Sequence, residues 1–109
     1  MYDCTKNFIN GEWLESDSGI VHDIINPATE ESIGQVAYGT AGDVDRAVAA
    51  ARSAFADFSR WTVDQRLELL SRIEQIFLAR YNDVAGAITA EMGAPVTLSH
   101  KAQAATGVV

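Results

Sequence analysis

The stretch from Thr62 to Gly93, TVDQRLELLSRIEQIFLARYNDVAGAITAEMG, holds no proline, and no glycine before Gly86. Apolar side chains recur at Leu67, Leu70, Ile73, Phe77, Tyr81, Val84 and Ile88, in steps of three or four. That spacing stacks them on one face of a 3.6-residue helix. Thr62 followed by Gln65 has the form of a capping box, in which each side chain satisfies the other's free backbone N–H. Glu68 and Arg72 stand four apart with the acid first, the favourable order for an exposed ion pair. One unbroken helix here would run roughly 45 Å, against a radius of gyration of about 13 Å for a compact domain of this size. The stretch therefore breaks, or it projects. Asn82 and Gly86 are poor helix formers, so the pattern predicts one helix over about 63–81 and another over about 83–92. Either way a long apolar face has to be covered.

The residues before it read as β-ribbons over 6–38, followed by a helix. Asn10-Gly11 between apolar-containing runs is the strongest hairpin dipeptide, because both positions tolerate the positive φ of a type I′ turn. Strands are expected at Lys6–Ile9 and Glu12–Leu14, with Ser16-Asp17-Ser18-Gly19 as the next turn. Ile20–Ile25 is β-branched and reads as a strand. Asn26-Pro27 opens a turn, and Ser32–Tyr38 returns as a further strand. Ribbons this small are marginal unless something packs on them. Thr40 with Asp43 resembles a second capping box. Val44, Ala47, Val48, Ala51, Phe55 and Phe58 then fall at helical spacing, giving a helix over about 43–58. Phe55, Phe58, Trp61, Phe77 and Tyr81 read as core aromatics. Gly93-Ala94-Pro95 marks a stop and restart. A last helix over about 96–109 shows no terminating cap, and on that ground the chain reads as a segment cut from something longer. The whole of 1–109 is then the first part of one domain, incomplete at its carboxyl end.

Charge narrows the function. Fifteen acids against eight Lys and Arg give a net charge of −7, with no basic stripe to neutralise phosphates, so nucleic acid is not an expected partner. Anionic membranes are disfavoured for the same reason. There is no apolar run long enough for a helical span, and MYDCTKNFIN lacks the layout of a secretion signal. Cys4 is the only cysteine, which rules out an internal disulfide and agrees with a reducing compartment; a cytoplasmic location is expected.

Chemistry-bearing motifs are nearly absent. Cys4 has no basic neighbour in sequence to lower its pKa, and reads as an incidental thiol. His22 and His100 lie far apart with no Cys or His at metal-ligand spacing. Gly39-Thr40-Ala41-Gly42 precedes a helix but matches neither G-x-G-x-x-G nor the P-loop pattern. Glu30 and Glu31 have no partner carboxylate at a predictable distance. Residues alone give a mixed domain with no active site of its own.

The order of the segments says more. FINGEW, IINPATEESIGQVA, DVDRAVAAARSAF, W-x4-R-x-x-LL and EMGAP, in this sequence and spacing, closely resemble the amino-terminal part of the aldehyde dehydrogenase superfamily, from Phe8 to about Ala104. The resemblance implies an α/β parent fold with a Rossmann-like cofactor domain, of which this stretch would supply β-hairpins followed by three to four helices. It implies oxidation of an aldehyde to a carboxylic acid with NAD or NADP. In that chemistry a cysteine thiolate attacks the carbonyl, a hydride leaves for the nicotinamide, and a glutamate activates water. No catalytic and no cofactor-binding residue of the family falls in this stretch, and Cys4 does not match the catalytic cysteine. The resemblance also implies a structural sodium or potassium ion held by the backbone carbonyls of Ile24 and Ile25 and by Glu91, where the family often has aspartate. Glu30 replaces a common glycine, and Ala94 a common lysine. Homodimers or homotetramers are the implied assemblies, with the remainder of the enzyme chain and a small aldehyde as partners.

Two rivals stand beside this expectation. One is a free-standing, non-catalytic helical interaction module, which should cap its last helix. The other is a small acidic cation-binding protein resting on Glu91.

Overall fold

The structure is a computed structural model and describes residues 1–108. It divides into two compact units. One combines Met1–Ile25 with Ser32–Arg60; the other combines Asn26–Glu31 with the chain from Trp61 onward.

The first unit holds five strands and a helix: β1 (Tyr2–Cys4), β2 (Lys6–Ile9), β3 (Glu12–Glu15), β4 (Val21–Ile25), β5 (Ser32–Ala37) and α1 (Ala41–Phe58). Strands β2 and β3 form the expected antiparallel hairpin, with Phe8 opposite Trp13 and their rings 5.1 Å apart. Asn10 and Gly11 take φ of 54° and 83°, the left-handed pair that a twisted two-residue hairpin requires. β4 and β5 pair antiparallel, with a register shift between Ile24 and Ile25. The sequence did not signal β1. It lies parallel to β5 as the edge of a three-stranded sheet in the order β1-β5-β4. Gly34 permits that docking, since a Cβ there would stand 2.3 Å from the Tyr2 carbonyl oxygen. Helix α1 starts two residues earlier than expected because Thr40 is its N-cap, and the Thr40–Asp43 capping box is fully formed.

The second unit is helical: α2 (Val63–Ala79), α3 (Tyr81–Met92) and the single turn α4 (Val96–Leu98). Thr62 and Gln65 make the expected capping box, at 2.9 and 3.2 Å. The break falls at Arg80 (φ −108°, ψ 14°), which closes α2 and opens α3. Asn82 and Gly86 both lie inside α3 instead. Neither cost is large enough to end a helix whose interior bonds are otherwise intact. Gly93, at φ 67°, ends α3 in the left-handed cap that favours glycine. Its α-carbon lies against the Asn26–Glu31 turn, where a Cβ would come within 3.0 Å of Pro27 Cγ. In that turn Asn26 Oδ1 accepts from the Ala28 N–H at 2.9 Å, and the Glu30 N–H donates to the Asn26 carbonyl at 2.8 Å.

The final helix expected over 96–109 is corrected. After α4 the chain widens into a π-helical turn (Ser99–Gln103) and then tightens into a 3-10 turn (Ala104–Gly107), with Val108 extended. Val109 lies outside the described residues. Ser99 explains part of this: fully buried, its hydroxyl accepts from Thr89 at 2.8 Å and lies 3.4 Å from both the Pro95 carbonyl and Gln103 Oε1. Tyr81 adds a hydroxyl that donates to the His100 carbonyl. Side chains that compete for backbone acceptors in this way commonly distort a helical ladder.

The expected core is the largest correction. Among the described residues the buried apolar side chains are Ile9, Ala85 and Ala104. Phe55, Phe58 and Trp61 are 66%, 43% and 38% exposed, and Phe77 and Tyr81 are half-buried. On α2, Leu67, Leu70, Ile73 and Ile76 are all more than half exposed. Among the described residues no ion pair joins Glu68 to Arg72. The accessible surface is 8156 Å². Even two separate compact bodies of half this mass would together expose only about 7,100 Å². The periodicity was real, but among the described residues nothing covers the faces it marks.

Candidate functional site

The densest polar cluster is built around Asp43, in the first turn of α1. Its side chain is 3% exposed. Oδ2 accepts from the Thr40 N–H at 2.8 Å and the Thr40 hydroxyl at 3.0 Å. The Ser16 hydroxyl, 2.7 Å from Oδ2, is also 2.9 Å from the Tyr38 carbonyl. Oδ1 accepts from the Asp17 N–H at 3.4 Å and from Arg46, which also binds Asp17 at 2.6 Å. These donors, the Thr40 N–H first and the Ser16 hydroxyl next, pull the Asp43 carboxyl down to about 2, against the opposing effect of burial. The Arg46 guanidinium is raised, chiefly by its hydrogen bond to Asp17 and also by the charges of Asp17 and Asp43.

Chemically this cluster is a fastener. Both oxygens of Asp43 are engaged, and the bonds tie the Ser16–Gly19 turn to the start of α1. It also settles what the Gly39–Gly42 loop can bind. The helix N-terminus, the natural seat of an anion, is already filled by the chain's own carboxylate. A nucleotide phosphate brought there would meet a full negative charge. The start of α1 therefore does not fit the pyrophosphate of a dinucleotide.

The remaining candidates are dispersed. Cys4 is exposed in β1, paired in register with Val36. His22 stacks on the Tyr38 ring, with centroids 4.7 Å apart, and His100 lies 6.2 Å from the Tyr81 ring. Both histidines thus sit in aromatic pairs, which sequence spacing did not reveal. Among the described residues no three His, Cys, Asp or Glu side chains gather as a metal site. No helix among the described residues is long and apolar enough to cross a membrane. Ile24 and Ile25 lie at the end of β4, where the ladder to β5 is interrupted. Glu91 is exposed in the last turn of α3, which carries no basic residue. An acid is unfavourable there, beside the negative end of the helix dipole.

Among the described residues a small sheet and a hairpin, followed by helices with open apolar faces, make up an α/β fragment. The aldehyde dehydrogenase family model matches residues 13–108. The chain belongs to that family. A Staphylococcus aureus (strain bovine RF122 / ET3-1) protein named for the same family is 48% identical over 101 residues, covering 93% of this chain and 21% of the relative. The crystal structure of an aldehyde dehydrogenase from Bartonella henselae is similar with a TM-score of 0.94 at 34% identity, covering 97% of this chain and 22% of that one. A mutant of aldehyde dehydrogenase C from Pseudomonas syringae, solved with NAD+ and octanal, gives a TM-score of 0.90 at 40% identity, covering 93% and 21%. The chain spans about one fifth of the length of the relatives it matches.

Proposed function

We propose that these residues are the amino-terminal part of the cofactor-binding domain of an enzyme that oxidises an aldehyde to a carboxylic acid with NAD or NADP. The reaction would pass through a cysteine thiohemiacetal, with the catalytic cysteine and glutamate outside residues 1–109. NAD or NADP would take up the electrons when bound by the complete protein. The part played by this chain is architectural: α1 and α2 present apolar faces on which the rest of the domain packs. The observation that carries this reading is the exposure of Leu67, Leu70, Ile73 and Ile76, inside a family match that runs nearly the length of the chain. Homodimer or homotetramer assembly and a cytoplasmic location belong to the same proposal. So does a sodium or potassium ion held by the Ile24 and Ile25 carbonyls and Glu91; heat on titrating the complete enzyme with either salt supports that ion, and none removes it.

The test is a transplant. Residues 1–109 replace the matching section of the Staphylococcus aureus relative, and aldehyde-dependent NAD(P)+ reduction is measured. The reading expects an active chimera, and no turnover by the 109-residue chain alone. A soluble, folded but inactive chimera, or turnover by the chain alone, contradicts it.

A further inference from the structure

The four asparagines differ sharply in their neighbours on the carboxyl side. Deamidation begins when the next residue's backbone nitrogen attacks the asparagine side-chain carbon. A C–N bond forms, ammonia leaves, and water then opens the resulting imide to aspartate or isoaspartate. Asn26 precedes Pro27, whose nitrogen carries no proton to lose. Asn82 is inside α3 and precedes the branched Asp83. Asn7 is paired with Leu14 in the β2–β3 ladder and precedes the bulky Phe8. Asn10 alone is exposed, makes no side-chain hydrogen bond among the described residues and precedes a glycine. Nothing stands within 4 Å of the space a Cβ on Gly11 would fill, and the absence of a side chain there leaves the Asn–Gly bond the least hindered of the four.

We propose that Asn10 is a site of spontaneous deamidation, and that its isoaspartyl product loosens the β2–β3 hairpin. The left-handed backbone of Asn10, at φ 54°, keeps the turn closed, so attack occurs during openings of the hairpin tip. Such openings are low in free energy for a two-stranded ribbon. Isoaspartate inserts one extra atom into the backbone of a turn whose two residues both need left-handed geometry. The Phe8–Trp13 register depends on that turn. The tip also borders a groove lined by Ala47, Ala50, Ala51 and Ala54.

Purified full-length chain is aged in mildly alkaline buffer, and electron-transfer fragmentation of the tryptic peptide spanning residues 7–46 locates the amide-to-acid mass gain. The expected result is conversion at Asn10 with Asn7 and Asn26 intact, and a parallel loss of amide protection across the hairpin. Asn10→Gly keeps the turn geometry and should abolish both changes. Asn10→Asp adds the same charge without lengthening the backbone, and should leave the hairpin protected. Conversion at Asn7 or Asn26 first, or an unchanged Asn10 when a free peptide of residues 7–14 has fully converted, overturns the assignment. Conversion with undiminished hairpin protection overturns its consequence.

Discussion

Gly34→Ala isolates the packing contact that joins the chain's first strand to its sheet. The added Cβ would lie 2.3 Å from the Tyr2 carbonyl oxygen, 2.7 Å from Tyr2 Cβ and 2.9 Å from the Tyr2 carbonyl carbon. Two of these are backbone atoms, so no rotamer change relieves the overlap, and β1 has to leave. The cost is then capped at what β1 contributes. Its three residues are all exposed, with register partners Gly34, Gln35 and Val36. A few ladder bonds worth about 0.5–1.5 kcal/mol each are largely offset by about 1–2 kcal/mol per residue of ordering entropy. The net loss should be at most about 1.5 kcal/mol, reduced by about 0.5 kcal/mol because alanine restricts the unfolded chain. Hydrogen exchange reads the outcome residue by residue. Protection at Tyr2–Cys4 should vanish while the β4–β5 amides keep theirs. Persistent protection of β1 would refute the steric argument. Loss of the whole sheet, at about 4 kcal/mol or more, would refute the claim that β1 is a separable edge.

Asp43→Asn should remove a pH dependence. The folded-state value of about 2 lies below the ordinary 3.8, so the stabilisation is complete above about pH 4 and is lost as the pH falls towards 2. Acid unfolding monitored by circular dichroism should show this decline for the parent chain and a flatter curve for Asp43→Asn; identical curves would dismiss the linkage. Glu30 sits at φ 61°, a left-handed conformation that costs a non-glycine residue about 1–2 kcal/mol. Glu30→Gly should therefore raise stability by about 1 kcal/mol in thermal melts, and a lower melting temperature would count against backbone strain there. Leu70→Ser with Ile73→Ser should leave the melting of the 109-residue chain almost unchanged, because both side chains are already more than half exposed. In the transplant chimera the same pair should cost about 2–4 kcal/mol, given about 1.5–3 kcal/mol for fully burying each side chain. Equal effects in the two contexts would mean that this face stays open.

Local chemistry was legible wherever a few neighbouring residues decide the outcome. Asn10-Gly11 announced its turn, and the Thr40–Asp43 and Thr62–Gln65 boxes formed as their spacing demands. Glu30, which stands where the resemblance implies a common glycine, adopts a left-handed backbone. What sequence could not supply was tertiary. β1 depends on parallel pairing with residues more than thirty positions away, and no local pattern encodes that. The Arg80 break, rather than Asn82 or Gly86, reflects how two helices leave a shared residue, not propensity. The last helix was read from an alanine-rich run, yet buried Ser99 and the Tyr81 hydroxyl reshape it into π and 3-10 turns. Its ending at Gly107 also means that an uncapped helix cannot be used to separate a segment from a free-standing module. Periodicity correctly located the apolar faces of α1 and α2, but periodicity does not say whether the covering surface belongs to the same 109 residues. For the site, the sequence marked Asp43 as a cap and nothing more. Its ties to Ser16, Asp17 and Arg46 needed the fold, and they turn the one phosphate-like loop into an occupied anion seat.

The proposed function makes these helices the opening of a larger oxidoreductase. The most direct test isolates the protein carrying this sequence from its source and measures, on one sample, its intact mass and its aldehyde-dependent NAD(P)+ reduction. The account predicts a chain about five times as long as this one, in keeping with the 21% coverage of its relatives, and turnover by that sample. A stable 11.7 kDa polypeptide without turnover, alone or in multiples, would contradict it and favour the interaction module.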